Sequence, residues 1–91
     1  MDDGQRSVRR KRLLFRSWHR GMREMDMLLG RFAERHIDTF SDRQLALFEA
    51  ILEEVDPEIY GWLSGRIPVP ADMQSDVMGL LENFTVSIDQ H

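Results

Sequence analysis

The sequence has no cysteine among its 91 residues. That removes disulfides, a thiolate nucleophile and cysteine-ligated metal from consideration, and it suits a reducing compartment. No apolar run approaches the roughly 20 residues of a membrane-spanning helix. The start, Met1-Asp2-Asp3, reaches arginines without an apolar core, so no secretory peptide is expected. There is no glycine-rich phosphate loop of the kind that cradles nucleotides. The three histidines, His19, His36 and His91, have no helical ligand spacing, so no metal site is expected. The serines lack a His/Asp signature for nucleophilic catalysis. Glu24 and Asp26, two apart, point to different sides of a helix and make no carboxylate pair. These absences argue against an enzyme and favour a binding or assembly role. A chain of this length makes one domain with one modest core.

What is present is helical patterning and uneven charge. Residues 1–35 hold ten Lys/Arg against five Asp/Glu, while residues 36–91 hold two against eleven. Two readings follow: the halves attract each other within the fold, or the first half offers a basic face to a partner. From Ser7, a plausible N-cap, to Trp18 the spacing predicts a basic amphipathic helix with Val8, Leu14 or Phe15, and Trp18 on its apolar side. Such a helix leaves a small basic-faced nucleic-acid or regulatory module open, although the acidic remainder would repel phosphates.

A second helix is predicted over Met22 to Arg35, with Met22, Met25, Leu28, Leu29, Phe32 and His36 as its stripe. Gly30 within it permits close helix packing at some cost in propensity. Phe40-Ser41-Asp42-Arg43-Gln44-Leu45 reads as a capping box and hydrophobic staple opening a third helix that runs to Val55. Asp56-Pro57-Glu58 opens a fourth, with Asp56 as N-cap and Pro57 at the first helical position. Gly65 is its expected left-handed stop. Arg66 to Pro70 is an extended connector. A fifth helix is expected from Ala71 or Asp72 through Phe84. The resulting architecture is all-α: a small five-helix bundle over residues 7–85, between a flexible start (1–6) and a C-terminal tail (86–91).

Between the first two helices lies Arg20-Gly21-Met22-Arg23-Glu24. If it is helical, Arg20 and Glu24 share a face as an i,i+4 pair, and Gly21 lets another chain approach the backbone. The residues alone leave two readings: an exposed helix pair of small energetic weight, or a contact surface.

The stretch matches an RGxxE motif. It continues as Met25-Asp26-Met27-Leu28-Leu29-Gly30-Arg31-Phe32, with Asp56-Pro57-Glu58-Ile59-Tyr60-Gly61-Trp62-Leu63 about thirty residues on. In this order and spacing, over residues 8–84, the chain resembles the succinate dehydrogenase assembly factor family that promotes flavinylation, SdhE in bacteria. The resemblance implies a five-helix, non-catalytic, chaperone-like assembly factor. Its partner would be the flavoprotein subunit of succinate dehydrogenase, with fumarate reductase flavoproteins as a second client. It would assist covalent FAD attachment to a histidine of that client, and FAD would belong to the client rather than to this chain. By motif position Arg20, Gly21 and Glu24 become partner contacts. Asp26 lies in the same stretch, and Arg12 and Arg16 extend the face. His19 stands where many members carry another basic residue. A monomer in the bacterial cytoplasm, binding no nucleic acid, completes the expectation.

Overall fold

The computed structural model describes residues 6–89. Five α-helices and one 3₁₀ turn make up the described chain: α1 (Val8–Trp18), α2 (Arg23–His36), α3 (Asp42–Leu52), α4 (Asp56–Ser64), the turn Ala71–Met73, and α5 (Asp76–Asp89). The all-α bundle expectation holds. The expected flexible start lies outside the described residues except for Arg6, and of the expected tail so do Gln90 and His91.

The caps follow the local sequence. Ser7 Oγ accepts from the Arg10 N–H at 3.2 Å. Ser41 and Gln44 form a reciprocal capping box, and Phe40 and Leu45, the staple pair, are both buried. Gly65 closes α4 at φ 83°, a left-handed conformation that glycine adopts without steric cost.

Three boundaries differ from expectation. Helix α3 stops at Leu52, and Val55 becomes the extended residue before α4, 64% exposed. Residues 71–73 form only a 3₁₀ turn. Helix α5 begins at Asp76, where Ser75 Oγ accepts from the Met78 N–H at 3.1 Å. At the other end α5 runs on through the expected tail to Asp89. Thr85 does not break it, because its hydroxyl donates to the Leu81 carbonyl at 2.9 Å, one turn back, a bond that helical geometry allows.

Phe32 of α2 sits at the centre of the core. The rings of His36, Phe48, Phe84 and Phe40 surround it at centroid distances of 4.7, 5.5, 5.7 and 6.1 Å. Helix α1 packs on α2 through Leu13 and Ser17, the two buried residues of α1. Val8 and Phe15, expected on the apolar side, are 68% and 62% exposed. A short helix with apolar residues at 8, 13, 14, 15 and 18 admits more than one core face, and packing against α2 selects the Leu13 side. Gly30 is the reason α1 and α2 can close: an added Cβ there would lie 2.2 Å from the Trp18 ring. The expected close packing at this glycine is therefore present.

The charge asymmetry resolves in part inside the fold. Arg6 pairs with Asp38 at 2.8 Å, Arg9 with Glu49 at 2.8 Å, Arg16 with Glu53 at 3.0 Å and Arg20 with Asp56 at 2.9 Å. Arg10 donates to the carbonyls of Ile37 and Phe40, which follow α2. Five of the ten cations of the first half thus meet acids and carbonyls of the second, while Arg23, Arg31 and Arg35 are exposed and make no ion pair among the described residues. Lys11 and Arg12 are exposed.

Candidate functional site

Helix α1 ends at Trp18, with His19 as its C-cap, and α2 begins only at Arg23. Arg20 is therefore not helical, and the i,i+4 geometry expected for Arg20 and Glu24 does not arise. The two ends of the motif face different surroundings.

Arg20 turns inward. Its side chain is 11% exposed and that of Asp56 is 9% exposed. Its Nε donates to Asp56 Oδ1 at 2.9 Å, Nη1 to the Leu52 carbonyl at 2.6 Å, and Nη2 to the Glu54 carbonyl at 2.6 Å. One planar fork therefore binds the last carbonyl of α3, the α3–α4 corner and the first residue of α4. Asp56 does not cap α4 with its side chain, contrary to expectation. Val55 holds the N-cap position, and the Asp56 carboxylate binds Arg20 from the first turn of α4, where the helix dipole also favours an acid. Arg20, expected by motif position to be a partner contact, is placed here as a part-buried anchor.

Asp26 also works inward. Its Oδ1 accepts from the backbone N–H of Arg20 and from that of Gly21, the latter at 3.2 Å. Met22, the N-cap of α2, has no side-chain cap bond. The Asp26 carboxylate, in the first turn of α2, is what fixes the entering backbone. Gly21 holds φ 112°, and a Cβ added there would meet nothing within 4 Å. Glycine is required here by the backbone conformation, and the space outside it is open.

Gly21 and Glu24 face outward. Glu24 is exposed and makes no ion pair among the described residues. Around the loop, His19, Gly21, Met22, Val55 and Pro57 border a shallow depression with Arg20 beneath it. Met22 is 41% exposed. His19 lies flat on Phe15 with ring centroids 3.8 Å apart, and its Nδ1 is 2.7 Å from the Phe15 carbonyl oxygen. Arg12 is exposed, whereas Arg16 is held to Glu53. The seven predicted site residues therefore divide. Gly21, Glu24, His19 and Arg12 are surface groups, Arg20 and Asp26 build the loop from within, and Arg16 joins α1 to the end of α3.

On the other side of Glu24, α2, α4 and α5 enclose a groove of about 320 Å³ lined by Met27, Leu28, Arg31, Tyr60 and Leu63. In the sequence these residues stand out only as helix positions. A signal was present in Met27, which falls off the core stripe, and in Tyr60, the single tyrosine. Among the described residues no cluster of three His, Asp or Glu could hold a metal ion, and no helix is long and apolar enough to cross a membrane.

The fold and site define a small all-α protein that fixes a glycine-centred loop at its surface by an arginine and an aspartate from within. The model of the family described as "Flavinator of succinate dehydrogenase" matches residues 11–85, and the chain belongs to that family. It is 43% identical over 72 residues to the FAD assembly factor SdhE of Acetobacter pasteurianus, covering 79% of this chain and 66% of that protein. It is 36% identical over 74 residues to the mitochondrial succinate dehydrogenase assembly factor 2 of Dictyostelium discoideum, covering 81% and 52%. For the Danio rerio assembly factor 2 the values are 38% over 84 residues, 90% and 53%. The chain thus spans about half the length of these mitochondrial relatives. The resemblance carried by the RGxxE and DPxxYxWL segments is borne out at the level of family.

Proposed function

We propose that this protein is a non-catalytic assembly factor that binds the flavoprotein subunit of succinate dehydrogenase and promotes covalent attachment of FAD to it. The observation that carries the reading is the Gly21 loop of a flavinator-family chain: its backbone is fixed from within by Asp26, and the space outside it is open. Gly21 and Glu24 contact the client. His19 and Arg12 extend the contact along α1, while Arg20 and Asp26 hold the loop in shape. The flavin is the client's, and this chain holds no cofactor of its own. Fumarate reductase flavoproteins are a second client. The factor acts as a monomer in the bacterial cytoplasm and uses no nucleic acid.

The chemistry asked of such a factor is positional. Covalent flavinylation joins the client's own histidine to the client's own FAD, and a bound partner accelerates it by holding both in a near-attack arrangement. A carboxylate such as Glu24, with no ion-pair partner among the described residues, can accept from a client donor. The test is complementation in cells lacking the endogenous factor, read as in-gel flavin fluorescence of the large subunit. The wild-type chain is expected to restore fluorescence and Glu24→Gln to lose most of it, with both proteins equally folded by circular dichroism. Normal fluorescence from Glu24→Gln removes Glu24 from the site, and failure of the wild-type chain to bind the subunit removes the reading itself.

A further inference from the structure

The groove beside the motif has a chemical polarity that the Gly21 loop lacks. Its walls are apolar, from Met27, Leu28, Tyr60 and Leu63, and Met27 and Tyr60 are 40% and 46% exposed. Glu24 and Arg31 stand toward opposite ends of its α2 wall. They lie at i and i+7, on one helix face two turns apart, so their backbones are separated by about 10 Å along the axis. Neither makes an ion pair among the described residues, whereas Arg6, Arg9, Arg16, Arg20 and Arg43 all do. An acid and a base on opposite sides of exposed apolar surface are complementary to a ligand with the reverse order of charge. Glu24 belongs both to the RGxxE motif and to this groove, so a client seated on the loop lies next to it.

We propose that the groove receives one segment of the flavoprotein client: an apolar side chain seated against Met27 and Tyr60, a basic residue toward Glu24, and an acidic residue toward Arg31. The two client charges stand about 10 Å apart, matching the two helical turns between their partners. The groove fixes the direction in which the segment lies, because reversing it sets like charges together. This rests on the assembly-factor reading, with the same client as occupant.

The absence of cysteine makes the test direct. Met27→Cys and, separately, Met22→Cys each carry a single thiol for a photoreactive crosslinker, one in the groove and one on the loop. Each variant is illuminated with the purified flavoprotein subunit, and the attached peptides are mapped by mass spectrometry. Met27→Cys is expected to capture a segment with an apolar residue flanked by a base and an acid. Arg31→Glu is expected to weaken binding of the subunit at least tenfold with the helical circular dichroism unchanged, and Tyr60→Ser to weaken it severalfold. Two outcomes overturn the groove while leaving the client reading intact. In one, Met22→Cys crosslinks, Met27→Cys does not, and Arg31→Glu binds as the wild type does. In the other, Met27→Cys captures a segment without the two charges. If the wild-type chain does not bind the subunit and neither thiol crosslinks, both readings fall together.

Discussion

Arg20 and Glu24 stand at opposite ends of one five-residue motif and do opposite work. Arg20 is nearly sealed, each of its three guanidinium nitrogens bonded to Asp56 or to one of two carbonyls of the α3–α4 corner. Glu24 is exposed and has no ion-pair partner among the described residues. A motif can thus combine a residue that builds a surface from within with one left exposed on it. Loss of function on mutation does not separate the two roles, but a stability measurement does.

The largest effect is expected at Arg20. Arg20→Ala leaves Asp56 as an uncompensated, largely buried charge, which costs about 3–5 kcal/mol, and urea denaturation should show it as a lowered midpoint. Arg20→Lys should recover little of this, because an ammonium cannot span the carboxylate and two carbonyls as the fork does. A wild-type midpoint for Arg20→Ala would erase the contrast between the two ends.

Next comes Asp26→Ala, which removes a charged acceptor from two backbone donors. A loss of about 1.5–3 kcal/mol is expected, from the worth of hydrogen bonds to charged groups. Faster amide exchange at Arg20 and Gly21 should accompany it. Asp26→Asn keeps the side-chain oxygen and should fall between.

A smaller effect is expected from pH. Burial, reinforced by the Arg35 charge, lowers the His36 pKa below its ordinary 6.5. A histidine held neutral in the fold contributes stability that is present above 6.5 and lost as pH falls below it. A second loss follows at lower pH. Hydrogen bonding to Arg43 and Gln44 holds Asp76 at about 2 rather than 3.8, and Arg6 and Arg9 lower Asp38 and Glu49 in the same way. Stability from these carboxylates is present above their ordinary range and lost as pH falls through it. Thermal melts from pH 7 to pH 2 should therefore fall in two stages, and His36→Gln should flatten the first.

The smallest stability effect belongs to Glu24. Glu24→Gln should change folding free energy by no more than about 0.5 kcal/mol, the usual range for a surface change, while covalent flavin on the client drops. A large stability loss here would make the two ends of the motif alike.

Much of the fold was legible because it is encoded locally. The Ser7 cap, the Ser41–Gln44 box and the Gly65 stop each depend on residues within one turn of the chain. What was not legible depends on distance in sequence. Nothing near Arg20 announces Asp56, 36 residues on, and a local reading of Asp56 beside Pro57 points to an N-cap. The core face of α1 was ambiguous because several apolar registers fit a short helix, and only its packing on α2 selects Leu13. At the site, Gly21 and Glu24 lie exposed at the surface. The inward roles of Arg20 and Asp26 came from contacts made across the fold.

The bonds that Asp26 makes to the entering backbone have a thermodynamic consequence. Ordering one loop residue on binding would cost roughly 1–2 kcal/mol of backbone entropy. Here Arg20 and Gly21 are ordered when the protein folds. Under the proposed function, a client meeting this loop meets a template already set, and more of its contact energy remains as affinity.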